Sequence, residues 1–137
     1  MDDITTTLRI SAAGMRTQGT RLRVIAENIA NADSLPTQPG DLPYRRRVVT
    51  FSNVLDHATG VDLVRVDDVG DDPTPFPRRY DPDHPAADDG GYVLESNVNA
   101  LIEMTDMREA QRSYEANLNI ISATRRMIQR TLDILKA

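Results

Sequence analysis

The chain has 137 residues, a length typical of one domain, and it contains no cysteine and no tryptophan. Its 21 acidic and 16 basic side chains give a net charge of -5, which argues against a nucleic acid or an anionic membrane surface as partner. The absence of cysteine excludes disulfides, thiolate metal sites and a cysteine nucleophile.

Neither a membrane span nor a secretory signal is expected. No stretch of the sequence reaches the roughly 20 apolar residues that a membrane-spanning helix needs. The chain begins with Met1, Asp2 and Asp3, which is acidic where a secretory signal would be basic, and no apolar core follows. Export of this chain would therefore proceed without a cleaved signal peptide.

Proline divides the chain into three segments. All 8 prolines lie between Pro36 and Pro85, so residues 1–35 and 97–137 lack the residue that breaks helices most strongly. The middle segment, residues 36–96, holds twelve acids and six bases and carries the surplus of acid. We predict a helix in each terminal segment and a separate middle region between them.

The first segment has the four-three spacing of a heptad repeat. One position class is fully apolar, with Leu8, Met15, Leu22 and Ile29, and the other is mixed, with Ile4, Ser11, Gln18, Ile25 and Ala32. Asp2 or Asp3 can cap the start of this helix. Residues 31–34 before Pro36 are expected to end it.

The last segment repeats the same pattern. Its apolar class comprises Ala100, Met107, Tyr114, Ile121, Ile128 and Leu135, and its mixed class comprises Met104, Gln111, Leu118, Arg125 and Leu132. Asn97 or Asn99 is a candidate N-cap. Acids lie early and bases lie late in the segment, which suits the helix dipole. The polar Gln18 and Arg125 either set the register between the helices or face solvent.

These patterns predict a mainly α fold, an antiparallel, coiled-coil-like pair of long N- and C-terminal helices with a small irregular β-containing middle region. A lone pair would leave several apolar residues off the seams uncovered, namely Ile10, Val24, Ile102, Ile120 and Ile134. We therefore expect self-association or assembly with similar helix pairs. The residues that we assign to the assembly interface are Ile4, Leu8, Met15, Leu22, Ile25, Ile29, Met107, Tyr114, Leu118, Ile121, Ile128, Leu132 and Leu135.

The middle segment is predicted to be a loop and β-hairpin region, with short strands at residues 44–51, 61–66 and 92–94. A proline-rich stretch, residues 71–77, is expected to form a stiff loop without regular backbone pairing. The basic run of residues 45–47 could contact phosphate. A solvated strand edge or a contact with an acidic neighbour is favoured, because the surrounding segment is acidic.

Candidate chemistry is weak throughout the chain. The only two histidines are His57 and His84, and no nucleophile-elbow motif surrounds Ser52 or Ser96. The acidic stretch of residues 81–89 does not fit a calcium loop, because proline and alanine stand where the loop needs an oxygen ligand and a glycine. We therefore predict no metal, no cofactor and no catalytic site, and a structural or interaction protein rather than an enzyme.

Several motifs carry a family resemblance. Residues 11–15 (Ser-Ala-Ala-Gly-Met) and 21–34 (Arg-Leu-Arg-Val-Ile-Ala-Glu-Asn-Ile-Ala-Asn-Ala-Asp-Ser) resemble the N-terminal signature of bacterial flagellar rod and hook proteins. Residues 43–51, 80–85, 91–93 and motifs within 97–117 are similar to the corresponding segments of the proximal rod proteins. The likeness covers nearly the full length in order. The sequence departs from the family locally, at residues 35–38 and at Ser96, where proline is often found.

The resemblance implies a structural subunit of the flagellar basal-body rod. Such proteins are exported unfolded through the flagellar type III apparatus into the periplasm, where they polymerise with copies of themselves and with other rod proteins. The resulting tube transmits motor torque, and the terminal helices line its inner layers. The alternative function is a small cytoplasmic adaptor that pairs through a coiled coil, and an enzyme is a more distant third.

Overall fold

A computed structural model of the chain describes residues 2–137. Its elements, in chain order, are α1 (Asp2–Ala30), β1 (Arg47–Asp56), β2 (Val61–Asp71), β3 (Arg78–Tyr80), β4 (Tyr92–Leu94) and α2 (Ala100–Lys136). The prediction of a mainly α fold with a small strand-containing middle region is confirmed. Within residues 2–137, neither helix has an apolar run long enough to cross a lipid bilayer.

Both helices have polar residues at their ends that satisfy free backbone groups. Asn99 is the N-cap of α2, and its side-chain oxygen accepts hydrogen bonds from the backbone N–H groups of Leu101 at 3.1 Å and Ile102 at 3.5 Å. At the end of α1, the Asn31 side chain donates to the backbone carbonyl of Glu27 at 2.8 Å. The predicted N-cap of α2 and the predicted end of α1 are therefore confirmed.

The two helices pack against each other in opposite directions. The contacts, taken from the end of α1 towards its start, are Asn28 with Glu103, Arg21 with Glu109, and Gly14 with Asn117. Residue numbers rise along α2 as the contacts proceed back along α1, so the pair is antiparallel. Because α2 has 37 residues and α1 has 29, its last turns extend past the start of α1, and residues 129–137 are all exposed.

Small residues lie at part of the contact between the helices, where Gly14 meets Asn117 and Ala110 and Thr124 of α2 are buried. Ala13 and Thr17 of α1 are also buried, and they line a cavity with β2. Small residues let two helix backbones approach closely. The close approach limits how much apolar surface the pair can bury.

One feature of the predicted α2 seam is wrong. The prediction placed Met104, Leu118 and Leu132 in the seam with α1, but all three are exposed. Their place is taken by the residues one position earlier in the heptad, which are Glu103, Ala110, Asn117 and Thr124. The close helix spacing favours these smaller side chains. Glu103 is tolerated there because Arg46 neutralises it.

Strands β1 and β2 form an antiparallel hairpin, in which Arg47 lies opposite Asp71 and Asp56 lies opposite Val61. The register shifts between Thr50 and Phe51, so that β2 contains one extra residue, Asp67, a β-bulge. The first strand begins later than predicted, at Arg47 rather than at residue 44, and both strands end later than predicted, at Asp56 and Asp71. Pairing across the hairpin continues into residues without a clear alternating pattern.

The tip of the hairpin is tied to α1. The Asp56 carboxylate accepts a hydrogen bond from the Thr59 hydroxyl at 2.7 Å and forms an ion pair with Arg9 of α1 at 2.9 Å. Gly60 adopts φ +70°, a left-handed conformation that glycine reaches without steric cost, and this closes the turn. These contacts hold the hairpin along the first helix.

The hairpin covers part of α1 that the sequence analysis left uncovered. A lone helix pair was expected to leave Val24 uncovered, but in the chain it is only 1% exposed. Val48 and Val49 of β1 line the same small cavity as Val24. The prediction fails because two helices alone were considered, whereas the hairpin forms a third layer. Ile10, Ile102, Ile120 and Ile134 are exposed, as predicted.

A second, smaller sheet joins β3 to β4. The sheet exposes Tyr80 and Tyr92, whose rings meet edge to face with centroids 5.3 Å apart, while Val93 of β4 is fully buried. β4 was predicted, but β3 was not. A three-residue strand that directly follows a proline-rich loop has too few positions to show an alternating pattern.

The close approach of the helices at Gly14 leads to a prediction. A Cβ atom added at Gly14 would lie 2.7 Å from Nδ2 of Asn117, whereas one added at Gly19 would meet Tyr114 at an ordinary 4.0 Å. Both Gly→Ala changes raise helix propensity by up to about 1 kcal/mol. We expect Gly19→Ala to stabilise the chain by that order and Gly14→Ala to stabilise it less or to destabilise it.

The measurement is urea unfolding followed by circular dichroism for the two variants and the parent chain. Asn117 donates a hydrogen bond to the Ser113 carbonyl at 2.9 Å, and moving it away from a new methyl group would weaken that bond. Equal stabilisation by both alanines would show that the helices are not in close contact at Gly14.

Candidate assembly surface

The exposed apolar side chains are concentrated on α2. We call nine of them the α2 apolar surface: Leu101, Ile102, Met104, Leu118, Ile120, Met127, Leu132, Ile134 and Leu135. They are between 43% and 77% exposed. So many large exposed apolar side chains on one helix are unusual for a monomeric protein and indicate a surface that another protein covers.

The apolar core of the single chain is small. Among the described residues the buried hydrophobic side chains are Ala13, Val24, Ile25, Ala86, Val93 and Ala110. Half of these are alanines, and burial of a Val or Ile side chain contributes only about 1.5–3 kcal/mol. The chain therefore exposes more large apolar side chains than it buries, which points to further burial in an assembly.

A polar cluster joins the helix pair to the hairpin. We call it the junction cluster, and it consists of Asn28, Arg46, Asp72, Glu103 and Asp106. Glu103 is fully buried, and its carboxylate accepts hydrogen bonds from Arg46 Nε and, at 3.2 Å, from Asn28 Nδ2. A carboxylate is costly to bury unless it is paired and hydrogen-bonded, and both conditions are met here.

Arg46 is the basic centre of the junction cluster. Besides Glu103, its guanidinium reaches Asp72 at 3.1 Å and Asp106 at 3.7 Å. Its backbone N–H donates to Oδ1 of Asn97 at 2.6 Å. Arg46, the residue just before β1, thereby holds the segment after β2 and the first turns of α2.

Asn28 connects α1 to the edge of β1. Its side-chain amide oxygen accepts from the backbone N–H of Arg47 at 3.0 Å, and its amide nitrogen donates to the Arg47 carbonyl at 2.9 Å. The amide pairs with Arg47 as a neighbouring strand would. The Tyr44 hydroxyl donates to the same Asn28 oxygen at 2.8 Å.

The loop after β2 is fixed by neighbouring polar and aromatic groups. Arg45 donates to the carbonyls of Asp72 at 2.8 Å and Thr74 at 3.1 Å, and its guanidinium lies 4.1 Å from the centre of the Phe76 ring. Hydrogen bonds from the Thr74 hydroxyl and backbone N–H, together with Arg46, hold the pKa of the Asp72 carboxyl below its ordinary value. Of the predicted loop, residues 71–77, residue 71 still belongs to β2, and residues 72–77 form an irregular loop with backbone hydrogen bonds only at its two ends.

The basic run was predicted to meet an acidic neighbour or solvent rather than phosphate. Arg46 pairs with Glu103, and Arg47 pairs with Glu27 at 3.0 Å. The preference for acidic neighbours is confirmed for these two arginines. The run therefore serves the attachment of β1 to both helices.

The predicted interface residues differ in their exposure within the single chain. Ile25 is buried, and half-buried positions are Ile4, Leu8, Met15, Leu22, Ile29, Met107, Tyr114, Ile121 and Ile128. Leu118, Leu132 and Leu135 are exposed and belong to the α2 apolar surface. Of the two polar seam residues, Arg125 is exposed, and Gln18 lies partly buried with its Oε1 lacking a hydrogen-bond partner within residues 2–137.

Sequence analysis did not assign roles to Asn28, Glu103 or Asp72. The acidic run at the start of α2 was attributed only to the helix dipole, and Asn28 was noted only as part of a family motif. The basic run of residues 45–47 was the one feature of the sequence that indicated acidic partners. It did not indicate which of the acidic residues those partners are.

The histidines lie in turns, as predicted for loop residues. His57 is exposed at the hairpin tip, and Nδ1 of His84 accepts a hydrogen bond from the backbone N–H of Ala86 at 3.0 Å. Within residues 2–137, histidine and acidic side chains form no group suited to holding a metal ion.

Comparisons with known proteins identify the family. Residues 89–134 match the family described as flagellar basal body rod FlgEFG protein C-terminal. The whole chain is 51% identical to the flagellar basal-body rod protein FlgC of Agrobacterium fabrum and covers 99% of it. The chain belongs to the FlgC family of flagellar basal-body rod proteins.

More distant FlgC proteins agree over most of the chain. The protein from Aquifex aeolicus is 39% identical, and the match covers 99% of this chain and 100% of that protein. The protein from Bacillus subtilis is 33% identical, with 94% of this chain and 96% of that protein covered. The predicted resemblance to rod proteins is confirmed.

As a FlgC family member, the chain is a structural subunit of the flagellar basal-body rod and not an enzyme. The match to a rod-protein family does not support the cytoplasmic adaptor. The two features that the structure brings to this rod subunit are the junction cluster, which fixes its shape, and the α2 apolar surface, which it leaves uncovered.

The junction cluster predicts a large cost for removing its buried carboxylate. We expect Glu103→Ala to destabilise the chain by about 3 kcal/mol, because it leaves Arg46 and Asn28 without their buried partner. Glu103→Gln keeps the shape and part of the hydrogen bonding and is expected to cost less. Urea unfolding of the purified variants provides the measurement.

Glu109→Ala is the matched control for Glu103→Ala. Glu109 also lies on α2, where it pairs with Arg21 at 3.6 Å, but its side chain is 67% exposed. Its removal is therefore expected to lower the free energy of unfolding by less than about 1 kcal/mol. Equal losses from Glu103→Ala and Glu109→Ala would contradict the role given to the junction cluster.

The lowered pKa of Asp72 predicts a dependence of stability on pH. A carboxyl whose pKa is lowered by folding stabilises the folded chain above its unfolded pKa, and the stabilisation is lost as the pH falls through the folded pKa. We expect the free energy of unfolding of the parent chain to fall more steeply below about pH 5 than that of Asp72→Asn.

Thr74→Val provides a second arm, because it removes the hydroxyl that lowers the pKa of Asp72 most. The acid-induced loss of stability should then be smaller and be complete at a higher pH than in the parent chain, because the folded pKa of Asp72 lies closer to its unfolded pKa. Superimposable pH profiles for the parent, Asp72→Asn and Thr74→Val would show that Asp72 is not held by these contacts.

Proposed function

We propose that the chain polymerises into the proximal part of the rod through its terminal helices, with the α2 apolar surface packed against helices of neighbouring copies and other rod proteins. The single observation that carries this proposal is the exposure of nine large apolar side chains on α2. An isolated chain gains nothing from them, whereas burial in a tube wall removes them from water.

The two helices are proposed to act as one antiparallel, coiled-coil-like unit within the rod. Half-buried seam residues such as Leu8, Met15 and Ile121 are only partly covered by the partner helix, and a neighbouring helix can complete their burial. The assembly interface would then combine the outer flank of the seam with the α2 apolar surface.

Charge on the late turns of α2 favours a staggered arrangement of neighbours. Arg125, Arg126, Arg130 and Lys136 are all exposed, and Asp133 is the acid among them. Neighbouring copies in exact axial register would place these bases side by side, where they repel. A stagger along the axis avoids this repulsion and suits a helical tube.

The chain is proposed to reach the periplasm through the flagellar type III export apparatus in an unfolded state. A small apolar core favours this route, because little stabilisation has to be overcome before passage. The absence of cysteine means that no disulfide can lock the chain before export or form wrongly after it.

Transmission of torque is proposed to depend on the continuity of the helices. α2 runs for 37 residues without proline, and α1 runs for 29. An uninterrupted helix retains its backbone hydrogen bonds along its whole length, whereas proline would remove one and bend the axis. The hairpin, which is fixed to the helices by the junction cluster, would add a rigid outer layer.

The proposal is tested by Leu118→Asp, with Asn119→Asp as the matched control. Leu118 is 43% exposed, and the neighbouring Asn119 is exposed as well, so both variants add the same negative charge to the surface of the same helix. A charge buried in an apolar contact is strongly unfavourable, whereas one facing solvent costs little. We expect Leu118→Asp to abolish rod assembly and swimming and Asn119→Asp to preserve both.

The measurements are swimming in soft agar, electron microscopy of isolated basal bodies and the amount of exported chain. Circular dichroism of each purified variant confirms that the helices form as in the parent. Normal basal bodies in Leu118→Asp cells would show that this part of α2 is not buried in the rod.

A further inference from the structure

The outer edge of β1 is open. β1 pairs only with β2, and within residues 2–137 no group outside β2 hydrogen-bonds to residues 48–55. The single outward contact of the strand is at its start, where the Asn28 side chain bonds to the backbone of Arg47. Because outward-facing backbone groups alternate along an antiparallel strand, residues 49, 51, 53 and 55 present free N–H and C=O groups in the same direction as Arg47.

This open edge lacks the features that normally protect edge strands. Residues 48–55 contain no charged residue, no proline and no glycine, and they are rich in β-branched and aromatic side chains. Phe51, Val54 and Leu55 are 40%, 39% and 49% exposed. A long, uncharged and exposed edge of this kind is a template for pairing with another strand.

The opposite edge of the hairpin is protected. β2 carries Asp62, Asp67, Asp68 and Asp71, and the extra residue Asp67 forms a bulge that interrupts its ladder. Acidic side chains and bulges are the devices by which sheet edges avoid further pairing. The hairpin is therefore open on one side only.

We propose that a second copy of this chain pairs with the open edge, so that β1 of one copy lies antiparallel to β1 of the other. The pair forms a four-stranded sheet in the order β2–β1–β1–β2. A copy of β1 is the fitting occupant because both edges are uncharged, and because the resulting sheet has the protected β2 strand at each outer edge. A two-stranded sheet is marginal alone, and four strands remove that weakness.

The register of this pairing follows from the alternation of the backbone groups. Arg47 is already occupied by Asn28, so the outward residues left for pairing are 49, 51, 53 and 55. In an antiparallel pair, residue 49 of one copy lies opposite residue 55 of the other, and residue 51 lies opposite residue 53. Ser52 then lies on the two-fold axis in a non-hydrogen-bonded pair, with its Cα about 4.5 Å from that of its counterpart.

This pairing goes beyond the proposed function and uses a different surface. The α2 apolar surface serves growth of the tube, whereas β1 pairing is isologous and closes on itself, so it cannot propagate into a tube. The β1 pair is therefore a form of the free chain that exists before incorporation into the rod.

The first experiment uses the natural absence of cysteine. Ser52→Cys places a single thiol on the proposed two-fold axis, at a Cα separation that permits a disulfide. Arg65→Cys is the matched control, because Arg65 lies directly opposite Ser52 on β2. After mild oxidation of the purified chains, we expect a covalent dimer from Ser52→Cys and little from Arg65→Cys.

The second experiment measures self-association by analytical ultracentrifugation. Phe51→Lys with Asn53→Lys places like charges opposite each other across the pair, and we expect dimerisation to weaken by at least about tenfold. Asp68→Lys on β2 is the control and should leave the dimer intact. Circular dichroism verifies that each variant remains folded.

Three results would overturn the proposal: a monomer at all concentrations, equal cross-linking of Ser52→Cys and Arg65→Cys, or open-ended aggregates in place of a dimer. Leu118→Asp separates this pairing from helix-mediated assembly. A dimer that is lost in Leu118→Asp but kept in the lysine variant would also refute pairing through β1. Whether the chain functions in the rod is tested separately, by the assembly of basal bodies.

Discussion

The architecture depends on a buried ion pair between Glu103 near the start of α2 and Arg46, the residue just before β1. Asn28 of α1 donates to the same carboxylate and also binds the backbone edge of β1. A buried charge must keep its partners, so these contacts tolerate little displacement. Three elements that are distant in sequence are thereby held at one point, and the small apolar core does not need to fix their arrangement alone.

The balance between this polar junction and the apolar surface suits a subunit that has to assemble. The helix pair buries small side chains at part of its contact and leaves large apolar ones, such as Leu101 and Ile134, in contact with water. Those side chains contribute little to the single chain and much to a contact with a neighbour. In the proposed assembly neighbours would cover these side chains, while the junction cluster preserves the shape in which the α2 apolar surface is presented.

Much of the fold could be predicted from the sequence. Proline confined to the middle segment, heptad spacing in both ends and Asn99 as a cap predict two long helices, and these signals are local. The position of the seam on α2 could not be predicted from apolar spacing, because Glu103 occupies a seam position only by virtue of Arg46, which lies far away in sequence. Val24 was misjudged for a similar reason, since its cover comes from the hairpin.

By itself, the sequence determined the helices, the hairpin, the absence of catalytic motifs and the resemblance to rod proteins, because each of these depends on residue type and short-range order. Only the tertiary structure decided which acid meets Arg46, which face of α2 remains uncovered and which edge of the hairpin is open. Those features depend on contacts between distant segments. From the sequence alone, many acidic residues could have paired with Arg46, and many apolar residues could have been left exposed. Packing of the hairpin across α1 selected among them, since it brought Arg46 to Glu103 and left the outer edge of β1 free.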